Sequence, residues 1–176
     1  MQEIPIGTSY IYKGTILNLR SDIVKTEKGG TANREVVEHV DSVGIIAIDK
    51  HQNLLLVNQF RYPTGENLWE IPAGCVEPGE NPESTARREL REETGFDPEY
   101  LERLGGFFLA PGYADEYMHV YLARELKHSP LVAEDTESIE LTTKTTAEIK
   151  DMIRTSQIKD CKTIAALFLF LDRAVS

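Results

Sequence analysis

Thiols are scarce in this chain: 176 residues contain two cysteines, Cys75 and Cys161. So few cannot form a disulfide framework, and a chain this long buries about 70% of its unfolded surface without one. The two thiols read as those of a reduced, cytoplasmic protein. Long apolar runs are missing too. The most apolar stretch is Ile164–Leu171, far short of the about 20 residues a spanning helix needs. Met1–Gly7 has neither a basic start nor an apolar core, so no signal peptide is expected there. Positive charge is also in short supply, with 19 Lys and Arg against 29 Asp and Glu and a net charge of −10. That balance argues against nucleic acid as a partner. A small phosphorylated substrate stays open, because a divalent cation can invert the field of clustered carboxylates.

What is present fits a folded domain, with 41% hydrophobic and 27% charged residues and no internal repeat. Thr15–Thr26 and Arg34–Val40 flank a Lys28-Gly29-Gly30 turn and predict a hairpin. Val43–Ile48 and Leu54–Phe60, rich in Val, Ile and Leu, predict a second hairpin in the core. Shorter strands are expected at Leu68–Pro72, Arg103–Leu109 and Tyr117–Ala123. Asn81, Pro82 and Gly95 carry start and stop signals for a helix over Pro82–Thr94. Thr145 and Glu148 have capping-box spacing for a second helix, and a third covers roughly Lys162–Ala174. The fold class is α/β (α+β). Residues 1–40 form an N-terminal hairpin region and residues 41–176 the main domain.

The first helix carries the chemistry. Glu89, Glu92 and Glu93 stand at i, i+3 and i+4 and share one face. Like charges at that spacing repel by a few tenths of a kcal/mol per pair, about what a favourable pair gains. A solvated helix explains a lone Glu-Glu pair, but it does not explain the wider pattern. Bound hard cations such as Mg²⁺ would turn this repulsion into attraction, since they prefer carboxylate oxygen. Arg88 lies four residues before Glu92 and can neutralise or orient it. The loop Ala73–Gly79 ahead of the helix permits close backbone approach.

The full pattern is Gly74, five residues, Glu80, seven residues, then Arg88-Glu89-Leu90-Arg91-Glu92-Glu93-Thr94-Gly95-Phe96. Its fixed positions would coincide by chance on the order of 10⁻⁸ per start site. The chain resembles the Nudix hydrolases. The resemblance implies a mixed β-sheet sandwiched between helices, with an N-terminal antiparallel sheet. It implies hydrolysis of a nucleoside diphosphate linked to a second group. It implies Glu89, Glu92 and Glu93 with the Ala73 carbonyl as metal ligands, and Arg88 and Glu80 as orienting residues. Mg²⁺ is the expected ion, and Mn²⁺ can substitute.

Segments outside the box resemble the ADP-ribose pyrophosphatase branch. They are Asn58-Gln59-Phe60-Arg61-Tyr62-Pro63, Leu68–Gly74, and Ala110–Glu116, where Pro111 follows Phe96 by fifteen residues. By this resemblance Arg61 contacts substrate phosphates, which suits the bidentate donors of a guanidinium. Arg34 holds the base or ribose, and Glu70 contacts substrate or metal. The general base falls on the loop His128–Ser138, with Glu137 first and Glu134 and Asp135 as alternates. A homodimer is implied, in which the N-terminal sheet swaps onto a second copy and Arg34 acts in that copy's site. The expected substrate is ADP-ribose, cleaved to AMP and ribose 5-phosphate. A GDP- or UDP-sugar is the alternative within the family. A nucleotide-binding module without catalysis is the alternative outside it.

Overall fold

The computed structural model describes residues 2–131 and 139–173. Its elements run β1 (Ile4–Lys13), β2 (Leu17–Lys25), β3 (Thr31–His39), β4 (Ser42–Ala47), β5 (Leu54–Arg61), β6 (Glu66–Glu70) and β7 (Ala73–Cys75), then α1 (Pro82–Thr94). Next come β8 (Phe96–Phe108), β9 (Tyr117–His128), β10 (Glu140–Lys144), α2 (Thr146–Arg154) and α3 (Cys161–Arg173). Contacts divide the chain into two compact units. One joins the chain up to Asp41 with Phe108–Tyr117, and the other joins Ser42–Phe107 with the chain from Met118 onward.

The first unit is a three-stranded antiparallel sheet in the order β1-β2-β3. The hairpin read around Gly29 is present, with Lys25 opposite Thr31 and Gly29 in the left-handed region at φ 89°. The strand β1 carries a mixed, Gly-containing sequence that gives no clear strand signal. The segment Phe108–Tyr117 adds to this unit through the Val37 N–H, which donates to the Tyr113 carbonyl at 2.8 Å. The sheet leaves Ile4, Ile6, Ile11, Tyr12 and Ile16 exposed.

The second unit holds a four-stranded sheet, β7-β4-β9-β8, and a three-stranded sheet, β10-β5-β6. The four-stranded sheet is mixed, because β4 runs antiparallel to β7 and parallel to β9. The core hairpin expected from Val43–Ile48 and Leu54–Phe60 is not found. Those strands lie in different sheets and meet at a single bridge, Ile48 to Leu54. Both are almost wholly buried, so their apolar runs carry no alternation from which to read a pairing partner. Asp49 closes the link between them by accepting the N–H groups of His51 and Asn53, each at 2.8 Å.

On one face of β4, Val43, Ile45 and Ala47 pack with Ala86 and Leu90 of α1. On the other face, Gly44 leaves room for Ile71 and Met118, since a Cβ there would come within 2.9 Å of Ile71 Cδ1. The helix α3 docks on this side, where its Thr163 accepts the Ile71 N–H at 2.9 Å. No helix among the described residues is long and apolar enough to cross a membrane. Leu90 is fully buried and fixes α1 to the sheet. Leu90→Ala is expected to lower unfolding free energy by about 2–5 kcal/mol, read from the urea midpoint. A loss under about 1 kcal/mol would mean that α1 is held by its polar contacts instead.

Candidate active site

The helix α1 begins where the sequence places it. The Asn81 side chain accepts the Ser84 N–H and the Ser84 hydroxyl accepts the Asn81 N–H, a reciprocal cap with Pro82 in the first turn. It ends at Gly95, in the left-handed region at φ 79°. The caps fix where the helix starts and stops, and the packing of Ala86 and Leu90 fixes which of its faces meets the sheet.

Arg88 gathers the site. Its Nε and Nη2 donate to the two oxygens of Glu80 at 2.9 and 3.0 Å. Its Nη1 donates to Glu89 at 2.7 Å and to Glu92 at 3.0 Å. Its Nη2 also reaches the Cys75 carbonyl at 3.2 Å. One guanidinium thus ties three carboxylates to the strand β7. Glu80 further accepts from the Thr85 hydroxyl at 2.8 Å and the Glu77 N–H at 3.3 Å. The hydrogen bond from Arg88, more than any other contact, holds the Glu80 carboxyl down at about 2.

Glu89 and Glu93 go the other way. Loss of water pushes Glu89 up to about 7, opposed by Arg88 and reinforced by the charges of Glu92 and Glu80. The same loss pushes Glu93 up to about 8, opposed by the Ala73 N–H, which donates to it at 3.0 Å, and reinforced by Glu89. Gly74 makes room for this packing: a Cβ there would lie 2.0 Å from the Glu89 carboxyl carbon, so the carboxyl would have to swing away. For these two carboxylates the loss of water outweighs the nearby positive charge, and their oxygens are donors that hard cations take. In this arrangement Glu89 and Glu92 are turned to Arg88. Among the described residues no group of three or more His, Cys, Asp or Glu side chains is set to hold an ion. The oxygen donors suit a divalent ion by their chemistry, while Glu89 and Glu92 stand in ion pairs with Arg88.

Arg61 and Glu70 come together beside these residues. Arg61 donates to Glu70 through Nε at 2.8 Å and Nη2 at 2.7 Å. Glu70 is 1% exposed and also pairs with Lys162 of α3. Burial would raise Glu70, but the Arg61 hydrogen bonds and Lys162 outweigh it and hold the carboxyl below its ordinary value. The sequence reading missed Lys162. The signal available was a cation in the first turn of a helix whose middle is apolar.

Two candidates lie in the first unit. Arg34 pairs with Glu3 at 2.9 and 2.5 Å, and Pro111 sits exposed in the loop after β8. The base candidates Glu134, Asp135 and Glu137 lie outside the described residues. The two cysteines form no disulfide, and both are exposed.

The Glu80 carboxyl has its own pH signature. Its value in the folded chain lies below the ordinary 4.5. Its stabilising contribution is complete above about pH 4.5 and is lost as pH falls toward 2. The difference in thermal midpoint between the wild type and Glu80→Gln is therefore expected to be largest near pH 6 and to shrink toward pH 3. A difference that does not change with pH would remove the Arg88–Glu80 pair as its source.

Comparisons with known proteins agree with this geometry. The chain is 38% identical to the methanol dehydrogenase activator of Bacillus methanolicus over 99% of its own length and 96% of the relative's. It is 34% identical to the ADP-ribose pyrophosphatase of Bacillus subtilis (strain 168) over the same shares. A solved structure described as an ADP compounds hydrolase superposes with a TM-score of 0.89, covering 98% of this chain and 94% of that one. At 21% identity that match speaks to the fold alone. The NUDIX domain model matches residues 38–159, a span that holds Glu70, the Gly74 loop and the whole of α1. With that span matched and its carboxylates drawn around Arg88, the chain belongs to the NUDIX domain family.

Proposed function

We propose that this chain hydrolyses ADP-ribose to AMP and ribose 5-phosphate with Mg²⁺, and that Mn²⁺ can replace it. The observation that carries the reading is the pairing of α1's carboxylates with the Gly74 loop, in a chain alike over its full length to an ADP-ribose pyrophosphatase. Glu89, Glu92, Glu93 and the Ala73 carbonyl are the residues that would hold the ion. When bound, the ion neutralises charge on the diphosphate and lowers the pKa of a water. Arg88 keeps Glu89 and Glu92 in place through Nη1, and Glu80 keeps Arg88 in place. Arg61 offers its guanidinium to the diphosphate, and Glu70 belongs to the same site through its pair with Arg61. Pro111 and Arg34 complete substrate selection. Glu137, with Glu134 and Asp135 behind it, takes the proton from the attacking water.

The protein acts as a homodimer in the cytoplasm. Residues 1–40 act as the part that one copy lends to the other, with Arg34 serving the second copy's site. The apolar side chains left open on β1, among them Ile6 and Ile11, support a second copy as their cover. A second reading is favoured by the likeness to a methanol dehydrogenase activator. In it, the same hydrolytic site serves to activate a dehydrogenase.

ADP-ribose is expected to turn over faster than GDP-mannose, UDP-glucose or NADH in the presence of Mg²⁺. Glu93→Gln is expected to lose at least about a thousandfold in kcat while keeping its far-ultraviolet spectrum. A preference for another nucleotide sugar would keep the site and replace the substrate. Near-normal turnover by Glu93→Gln would overturn the ligand assignment. Sedimentation at micromolar concentration is expected to show a dimer, and a monomer alone would remove the shared sheet.

A further inference from the structure

The role inferred below for Lys162 rests on the proposed role of Arg61 as the anchor of the diphosphate. A phosphate-binding guanidinium has to be held in a fixed plane before substrate arrives. Glu70 holds Arg61 as a group that substrate cannot displace, because Glu70 is 1% exposed and takes both Nε and Nη2. Glu70 therefore acts on the substrate through Arg61.

Glu70 is itself held by α3. Its Oε2, the oxygen that accepts from Arg61 Nη2, also pairs with Lys162 Nζ. Lys162 is 13% exposed and lies 3.0 Å from Asp160. Asp160 in turn accepts the Thr163 N–H at 3.0 Å and the Thr163 hydroxyl at 2.6 Å. The Thr163 oxygen accepts the N–H of Ile71, the residue after Glu70, at 2.9 Å. The first turn of α3 is thus fastened at two adjacent points of the chain, the Glu70 side chain and the Ile71 backbone. Neither point can shift without the other, so the position of Lys162 is set by the docking of the helix.

The charges explain why a lysine is useful there. An Arg–Glu pair alone is neutral and attracts a diphosphate weakly. Lys162 shares the Glu70 charge and so leaves Arg61 with more of its own to offer. The Asp160 charge is partly spent on the N–H and hydroxyl of Thr163 at the helix start. We propose that Lys162 is a positioning residue for the diphosphate, acting through Glu70 to fix the plane of Arg61 and keep its charge available.

The test uses the full chain with Mg²⁺ and ADP-ribose. Lys162→Met keeps the stem and removes the charge. It is expected to raise KM about tenfold and to lower kcat by much less, the sign of lost substrate binding. Lys162→Arg is expected to bring KM most of the way back. Removing one cation from a buried carboxylate also destabilises the fold, so Glu70→Gln/Lys162→Met, which removes both charges, is measured beside it. The double variant is expected to fold and, with the Glu70 charge gone as well, to report the loss of the fixed Arg61 plane alone as a KM still above the wild-type value. Arg61→Ala is the control for the underlying reading. If Arg61→Ala keeps the wild-type KM, the reading of Arg61 falls, and this proposal falls with it. If Arg61→Ala raises KM while either Lys162→Met protein keeps the wild-type value, the positioning role of Lys162 is overturned and Arg61 stands. A loss of thermal stability with KM unchanged would likewise leave Lys162 a purely structural role.

Discussion

The Arg88 guanidinium is the constraint on which this site depends. Its donors reach Glu80, Glu89, Glu92 and the Cys75 carbonyl, so one side chain links the loop, the helix face and the strand β7. Without it, Glu89 and Glu92 would face each other across one helical turn with no positive charge between them. A lysine could not replace it, because a single ammonium lacks the planar fork that meets Glu80 with two bonds and still reaches Glu89 and Glu92. Glu80 completes the arrangement from the other side. Its low pKa keeps it charged, so that Arg88 stays oriented while Glu89 and Glu93 remain hard to ionise.

The charge balance around the site is a consequence of this arrangement. Glu70, Glu80, Glu89, Glu92, Glu93 and Asp160 face Arg61, Arg88 and Lys162. The excess is negative at a place where the diphosphate substrate proposed for this chain is also negative. Divalent ions reconcile the two, and the oxygen-only donor set suits them. Within the cluster the cations divide into two groups. Arg88 serves the carboxylates of α1, while Arg61 and Lys162 share Glu70. The first group is the one proposed to hold an ion, and the second the one proposed to meet phosphate.

How much of this could be read from the chain depended on distance along it. The cap at Asn81, the stop at Gly95 and the face shared by Glu89, Glu92 and Glu93 are local, and each is found as read. The turn at Gly29 is local as well. The pairing of Val43–Ile48 was not, because strands buried on both faces look alike whichever neighbour they take. Its partners lie at Ala73–Cys75 and Met118–Ala123, and no residue in β4 names them. Lys162 meets Glu70 across 92 positions. Only the folded chain brings these two together. The burial of Glu70 and its two bonds from Arg61 are likewise visible only in the folded chain.

The central claim is that the carboxylates of α1 form a divalent-cation site whose donors Arg88 keeps in place. Calorimetric titration of Mn²⁺ into the full chain, without nucleotide, tests it directly. The account predicts saturable binding by the wild type, its loss in Glu89→Gln, and marked weakening in Arg88→Ala with the fold retained. Binding of equal strength in all three proteins would place the ion elsewhere and contradict the account.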